Sequence, residues 1–128
     1  MSKSPGHQQH PNHKVEETAV EGNVRVAVGT QMLVDSGDVI FVREDGNPPR
    51  YYFPRSAVRS ELLQRSDTTS ACPFKGAATY YHLVLDGKVL NDAVWSYEQP
   101  YDEHQALKGR LAFYDDKLPE IVITPKPA

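Results

Sequence analysis

The feature that most constrains the fold is Asp86-Gly87, which lies between Leu83-Val84-Leu85 and Lys88-Val89-Leu90. An Asp-Gly pair in this setting is typical of a two-residue β-hairpin turn, because both residues tolerate the positive φ angles that the turn requires. If the turn is this tight, the numbers of paired residues add to a constant. Leu83 is then expected to lie opposite Leu90.

The same register, extended away from the turn, predicts which distant residues meet. Tyr80 is expected opposite Ala93, and Lys75 is expected beside Glu98. The loop that contains Lys75 would therefore meet Trp95-Ser96-Tyr97 at the open end of the hairpin. A β-bulge, which is common in strands this long, would break the register before it reaches Lys75.

Alternation along the hairpin divides its side chains between two faces of the sheet. We expect the more apolar set to form the core: Tyr81, Leu83, Leu85, Leu90 and Val94. The second set mixes aromatic and polar side chains and is expected to border a groove: Tyr80, His82, Val84, Val89, Asn91, Ala93, Trp95 and Tyr97.

The rest of the chain predicts a mainly β, single compact domain of antiparallel strands with one short helix. The strands would form a meander or sandwich, or an open barrel-like sheet. The first third reads as a β-meander, and residues 121–123 read as a last edge strand. The helix is expected to begin at Ser56, which can cap it, and to end near Gln64. The predicted domain spans residues 15–124, between a disordered polar tail at 1–14 and a tail at 125–128.

Histidines in the first tail suggest a metal site only weakly. His7, His10 and His13 are spaced by three residues, but prolines and a glycine in the same stretch oppose a helix that would bring them together. One cysteine and scattered histidines do not supply the four ligands of a structural zinc site. We therefore predict no metal and no cofactor.

Charge is distributed unevenly along the chain. The net charge is −3, yet residues 50–75 carry five cations and two carboxylates, a local +3: Arg50, Arg55, Arg59, Arg65 and Lys75 against Glu61 and Asp67. A small basic segment in an acidic chain argues against nucleic-acid binding and is compatible with a site for a small anion. No apolar run approaches the ~20 residues needed to cross a bilayer, and no secretory signal is evident, so we expect a cytoplasmic protein without a membrane partner.

The segment Cys72-Pro73-Phe74-Lys75-Gly76 predicts a constrained loop that presents a thiol and an ammonium group. One hypothesis is an enzyme in which Cys72 acts as a nucleophile or redox thiol and Lys75 favours its thiolate form. The alternative is that Cys72 is a small buried side chain that anchors the loop, since free cysteine is among the most buried residue types.

A binding hypothesis involves more of the sequence. Arg55 and Lys75 would hold a carboxylate or phosphate, while aromatic side chains cover a planar or apolar part of the ligand. The candidate ligand-binding residues are Tyr52, Arg55, Asp67, Lys75, Tyr80, His82, Trp95 and Tyr97. Alternatively, Arg55 forms a salt bridge with Asp67 or Glu103, and the aromatic residues are ordinary core. A third hypothesis is an interaction module that uses an exposed strand edge or an aromatic patch, as a monomer that recruits another protein or as a homodimer.

Four motifs in a fixed order resemble the family of the domain of unknown function 427. They are Tyr51-Tyr52-Phe53-Pro54-Arg55, Cys72-Pro73-Phe74-Lys75-Gly76 with Ala78 and Tyr80, Asn91-Asp92-Ala93-Val94-Trp95-Ser96-Tyr97, and Gly109-Arg110-Leu111-Ala112-Phe113-Tyr114. The resemblance covers roughly residues 23–115.

This resemblance implies a small, mainly β, single-domain protein of bacterial or fungal type without an established activity. Family members are sometimes labelled nucleotidyltransferases, but this chain lacks a Gly-Ser pair followed by spaced aspartates that could hold two Mg²⁺ ions. Family members often carry a histidine close before the cysteine, where this chain has Thr68 and Ala71. A Cys-His pair built within that loop is therefore not expected.

Overall fold

Strands dominate the computed structural model, which describes residues 2–127 and has ten strands in that range. The strands are β1 (Val15–Ala19), β2 (Val24–Val28), β3 (Gln31–Ser36), β4 (Ile40–Glu44), β5 (Arg50–Tyr52), β6 (Leu63–Cys72), β7 (Gly76–Leu85), β8 (Lys88–Ser96), β9 (Leu111–Phe113) and β10 (Ile121–Thr124). The helical elements are α1 (Pro5–Gln9) and short 3-10 segments at Arg55–Ala57, Ser60–Leu62 and Asp102–Leu107. Met1 and Ala128, which the predicted tails include, lie outside the described residues. Within that range, no helix combines the length and the apolar character needed to span a membrane.

These strands form three antiparallel sheets, ordered β1-β4-β5, β10-β2-β3 and β6-β7-β8-β9, and the described chain contains no closed barrel. A β-bridge joins two of the sheets, because Phe53 and Leu111 exchange backbone hydrogen bonds of 2.8 Å. The mainly β, single-domain architecture predicted from the sequence is confirmed.

Two hydrophobic clusters pack on opposite faces of the β6–β9 sheet. Tyr81, Leu83 and Leu85 of β7 lie in the larger cluster, whereas Ala78 and the half-buried Tyr80 of the same strand lie in the smaller one. Since neighbouring side chains of a strand point to opposite faces, β7 separates the two clusters. The apolar face predicted from alternation is buried as expected.

The hairpin turn is where the sequence placed it. Asp86 and Gly87 both have positive φ angles, of 45° and 75°. Leu83 pairs with Leu90, as predicted. The turn therefore sets the pairing of β7 with β8 over the residues nearest to it.

Further from the turn, the predicted register is wrong by two residues. A bulge lies between Tyr81 and Leu83, so that Tyr80 pairs with Trp95 and not with Ala93. A shift of two residues keeps each remaining side chain on its predicted face, because the alternation has a period of two. Ala93, within the bulged stretch, joins the larger core instead of the groove face.

Hydrogen bonds to Asp92 hold the bulge in place. Asp92 has a φ angle of 50°, its N–H donates to His82 Nδ1 at 2.9 Å, and its carboxylate accepts bonds from Ser66 at 2.5 Å and Thr68 at 2.8 Å. The Ser66 hydroxyl is the main cause of a lowered pKa of Asp92. These partners come from β6 and β7, which explains why the β8 sequence alone does not reveal the bulge.

The helix predicted from Ser56 to Gln64 is wrong. The structure has two separate 3-10 turns, Arg55–Ala57 and Ser60–Leu62, and the chain enters β6 at Leu63. Val58 and Leu62 are nevertheless buried in the core. The spacing of apolar residues thus identified the buried positions, but pairing of the following residues with β7 ends any helix before it can form several turns.

The predicted meander is also incorrect. β2 and β3 pair, but β4 pairs with β1 and β5 and not with β3. Alternation of polar and apolar residues identifies a strand but does not specify the strand with which it pairs. The polar run at residues 66–70, which follows the predicted end of the helix, lies inside β6. Its side chains are mostly exposed because β6 forms the edge of its sheet.

The N-terminal segment is ordered where disorder was predicted. Ser4 caps α1 by accepting the His7 N–H, and Pro5 occupies the first turn, where proline favours a helix because its missing N–H would have no partner. The sequence argument treated every proline in this stretch as a helix breaker. Only Pro11, which lies beyond the end of α1, is placed where it would stop a helix.

Replacement of buried Leu83 tests the assignment of the hairpin faces. Leu83 has no exposed surface, so Leu83→Ala is expected to lower the free energy of unfolding by about 2 to 5 kcal/mol, measured by urea denaturation. The matched control is Val89→Ala on the opposite face, where the side chain is 49% exposed and the change is expected to be below about 0.5 kcal/mol. Equal losses in the two variants would contradict the assignment.

Candidate functional site

A cavity of about 190 Å³ lies against the smaller hydrophobic cluster. Its walls come from β4, β5, the β6–β7 turn, the end of β8 and the residue after β9. The lining residues are Val42, Glu44, Asn47, Pro48, Arg50, Tyr52, Cys72, Lys75, Tyr80, Trp95, Tyr97 and Tyr114. The cavity thus brings together residues from two sheets and from all but the first third of the chain.

The β6–β7 turn positions two of the predicted site residues. β6 ends at Cys72, which pairs with Gly76 at the start of β7. Gly76 has a φ angle of 124°, and a Cβ atom there would lie 3.3 Å from Gln99 O, so glycine suits both the angle and the close approach. The Lys75 carbonyl accepts the Tyr101 N–H at 2.9 Å, which fixes the turn from the other side.

Lys75 and Glu44 form a buried ion pair in the wall of the cavity. The Lys75 ammonium donates to Glu44 Oε1, and the two side chains are only 8% and 7% exposed. The other carboxylate oxygen, Oε2, lies 2.9 Å from His13 Nε2. Burial raises the pKa of Glu44, but the hydrogen bonds with Lys75 and His13 outweigh it, so the pKa is lowered overall. This carboxylate is therefore held in its charged form.

Arg50 supplies a second cation, which the sequence analysis did not select. Its guanidinium lies 5.1 Å from the ring centre of Trp95 and 5.2 Å from that of Tyr114, and it donates two bonds to Asp116 at 2.9 and 3.1 Å. The Arg50 side chain lowers the pKa of Asp116 through these bonds. Arg50 and Tyr52 are two residues apart on β5 and therefore share a face of the strand. This spacing is a sequence signal that could have identified Arg50.

Aromatic side chains form much of the remaining wall. The Trp95 indole N–H donates to the Tyr52 hydroxyl at 3.1 Å, and burial raises the pKa of Tyr52. Burial, followed by the neighbouring Tyr52, also raises the pKa of Tyr97. Among residues 2–127, no side chain or backbone group hydrogen-bonds the Tyr97 hydroxyl. This hydroxyl is available to a ligand in the cavity.

Lys75 also lies close to Tyr97, as the hairpin argument expected. Its ammonium is 5.8 Å from the centre of the Tyr97 ring. The contact survives the bulge in β8 because the shift of two residues moves Trp95 and Tyr97 along the strand without turning them to the other face. The predicted meeting of the turn with the Trp95-Ser96-Tyr97 segment is present, but in a different register.

Cys72 is half-buried and lines the cavity. Its Sγ accepts the Lys75 N–H at 3.4 Å. His82, the nearest histidine in sequence, instead accepts the Asp92 N–H and does not line the cavity. In the described part of the chain, no histidine hydrogen-bonds Cys72, so no Cys-His pair is formed.

Three of the predicted ligand-binding residues lie away from this cavity: Arg55, Asp67 and His82. Arg55 reaches Tyr81 on the opposite face of the sheet, at 3.3 Å from its hydroxyl, and bonds Glu98 at 3.3 Å. The salt bridge considered for Arg55 therefore forms with Glu98 and not with Asp67 or Glu103. Asp67 is exposed on β6.

The structure places the other predicted residues together around the cavity: Tyr52, Cys72, Lys75, Tyr80, Trp95 and Tyr97. The sequence analysis missed the partners that these residues meet from other elements, chiefly Glu44, Arg50 and Tyr114. Glu44 is the last residue of β4 and lies two residues after Val42, so both side chains are on one face of the strand. An acidic residue in phase with Ile40 and Val42 was the available signal.

Removal of one partner tests the buried ion pair. Lys75→Met leaves Glu44 buried without its main counter-charge and is expected to cost about 3 to 5 kcal/mol of stability in urea denaturation. The double variant Glu44→Gln with Lys75→Met removes both charges and should recover at least about half of that loss. Lys88→Met, at an exposed lysine of the hairpin, is the control. A Lys75→Met loss no larger than that of the control would refute the assignment of a buried pair.

Comparison with known proteins identifies a family. A family model described as a domain of unknown function (DUF427) matches residues 16–124. The match includes all four sequence motifs and extends beyond the range of the resemblance at both ends. No curated protein matches the chain. Since the family model covers most of the sequence, this chain belongs to the DUF427 family.

Proposed function

We propose that this protein binds a small planar monocarboxylate in the cavity beside Lys75 and Arg50. The observation that carries the proposal is the combination of two cationic side chains with aromatic surface in one cavity. The cations would attract the carboxylate group of the ligand. The aromatic side chains would contact its planar part.

Free hydrogen-bond donors support a ligand with a carboxylate group. Two cations line the cavity, Arg50 and Lys75, and each is paired with a carboxylate, Asp116 and Glu44 respectively. Hydrogen-bond donors remain for a ligand, because an ammonium has three N–H donors and a guanidinium has five. One Lys75 donor goes to Glu44, and two Arg50 bonds go to Asp116.

The size and lining of the cavity support a ligand of about one aromatic ring. An apolar protein cavity of about 150 Å³ is known to hold benzene. The present cavity, of about 190 Å³, has room for a ring with a carboxylate attached. Five aromatic side chains line it: Tyr52, Tyr80, Trp95, Tyr97 and Tyr114. The unpartnered Tyr97 hydroxyl adds a hydrogen-bonding group on the same wall.

This proposal revises the anion site expected from the sequence. Arg50 takes the role assigned to Arg55, since Arg55 lies on the opposite face of the sheet. Catalysis at Cys72 has less support, because a nucleophilic thiol is usually activated by an adjacent base and the neighbouring groups described here include no histidine. The proposal retains the expectations of a cytoplasmic monomer or homodimer without nucleic-acid or membrane partners.

Benzoate and its uncharged analogue benzamide are suitable probes, because Trp95 is the only tryptophan of the chain and lines the cavity. Benzoate is expected to change tryptophan fluorescence saturably. It should bind at least about tenfold more tightly than benzamide, since a hydrogen bond to a charged group contributes about 1.5 to 3 kcal/mol. Benzoate should also slow iodoacetamide labelling of Cys72, the only thiol. Failure of benzoate to give a saturable signal, or equal affinity for both probes, would disprove the proposal.

Single substitutions locate the site within the molecule. Tyr97→Phe keeps the ring and removes the free hydroxyl, so benzoate affinity should fall about 3- to 10-fold. Arg50→Gln should lower it by more than about tenfold because a charged donor is lost. Arg55→Gln, on the opposite face, is the matched control and should leave affinity unchanged. The site is elsewhere if Arg55→Gln weakens binding as much as Arg50→Gln does, with melting temperatures confirming that each variant is folded.

A further inference from the structure

The N-terminal segment, residues 2–14, lies directly on the turn that forms one wall of the cavity. The Ser4 hydroxyl donates to Pro73 O at 2.7 Å, and the Gly6 N–H donates to the same oxygen at 2.8 Å. The ring of His13 stacks on Phe74 with 3.9 Å between ring centres. The segment thus contacts both residues between Cys72 and Lys75.

Close packing at Gly6 shows how tightly the segment is docked. A Cβ atom at this position would lie 2.7 Å from Pro73 O and 2.8 Å from a Phe74 ring carbon. The segment also reaches the cavity itself, because His13 bonds the Glu44 carboxylate that pairs with Lys75. Loss of docking would therefore free the turn and remove one hydrogen bond from the buried ion pair.

Two histidines in direct contact connect the segment to the rest of the domain. His7 Nε2 lies 2.8 Å from His104 Nε2, and His104 Nδ1 lies 2.5 Å from Glu17 Oε2. In a hydrogen bond between two imidazoles, one nitrogen donates and the other accepts. The contact is therefore compatible with two neutral rings or with one shared additional proton. With both rings charged, neither nitrogen can accept and the two positive charges repel.

Charged groups from each neighbouring element surround this pair. Glu17 of β1 and Glu103 of the 3-10 segment favour the first added proton, while Glu44 of β4 and His13 of the same N-terminal segment lie further off. Burial and then the neighbouring His104 lower the pKa of His7, and the carboxylates compensate only in part. Addition of a second proton to the His7–His104 pair is therefore unfavourable in the docked state.

We propose that residues 2–14 form a proton-sensitive clamp on the cavity turn, docked while at least one of His7 and His104 is neutral and released when both are protonated. The clamp requires no ligand. If the test below overturns the clamp, the proposed carboxylate binding can still hold, and the clamp can hold if carboxylate binding is disproved.

The direction of the pH dependence follows from proton linkage. The pKa of His7 is lower in the docked state than its ordinary value of about 6.5, so the released segment binds more protons as the pH falls. Docking is then fully favourable above about pH 6.5 and weakens below it. Between that ordinary value and the lower docked pKa, each pH unit reduces the docking equilibrium by up to about tenfold, and below the docked pKa the loss levels off.

Amide hydrogen exchange of Gly6, followed by NMR on the full chain, measures docking without a ligand. After correction for the intrinsic exchange rate, protection of the Gly6 amide is expected to fall between pH 7.5 and pH 5.0, by up to about tenfold for each pH unit below about 6.5. The amide of Leu83 in the core hairpin should keep its protection over the same range, which separates release of the segment from global unfolding.

Variants assign the effect to the histidine pair. His7→Gln can donate to His104 but cannot become charged, so Gly6 protection should vary less than about twofold between the two pH values. His10→Gln, at an exposed histidine of the same segment, is the control and should behave like the unmodified protein. His104→Gln repeats the test from the other ring. Unchanged Gly6 protection in the unmodified protein at pH 5.0, or an unaltered pH response in both Gln variants, would overturn the proposal.

Discussion

The buried ion pair of Lys75 and Glu44 is the interaction on which the arrangement of this domain depends. It joins the turn of one sheet to the end of a strand in another, at a point where both side chains are withdrawn from water. Two charges in such a place are tolerated because each meets the other and because His13 bonds the second carboxylate oxygen. Loss of one partner leaves a buried charge with nothing to offset its desolvation. The ion pair therefore links the position of the turn, the shape of the cavity and the ionisation of Glu44.

Several features of the cavity follow from this pair. Glu44 balances the charge of Lys75, while the second lining cation, Arg50, is balanced by Asp116. Arg50 is in turn held over Trp95 and Tyr114, which places cationic and aromatic surfaces side by side. Glu44 also accepts a bond from the N-terminal segment. The same carboxylate thus connects the cavity with the clamp, and a proton-dependent release of the clamp would act on the cavity through this contact.

Much of the fold was accessible from local patterns in the sequence, whereas long-range partners were not. Asp86-Gly87 and the period-two alternation predicted the hairpin and its buried face, since turn geometry and burial act over a few residues. The bulge at Asp92 depends on hydroxyl groups from another strand, and the ordered N-terminus depends on a close approach of Gly6 to Pro73. In the same way, Lys75 and Trp95 could be placed in a common site, but their partners Glu44 and Arg50 arrive from a sheet whose pairing the alternation does not specify. Arg55 was assigned to that site for its charge alone, and its position in the chain turns it to the opposite face.

The most direct test of this account is an NMR titration of the Glu44 side-chain carboxyl carbon in the full chain. Hydrogen bonds from Lys75 and His13 predict a midpoint below the ordinary range of a glutamate, in spite of burial. A midpoint at or above the ordinary glutamate value, as burial without a counter-charge would produce, would contradict the central role of the ion pair.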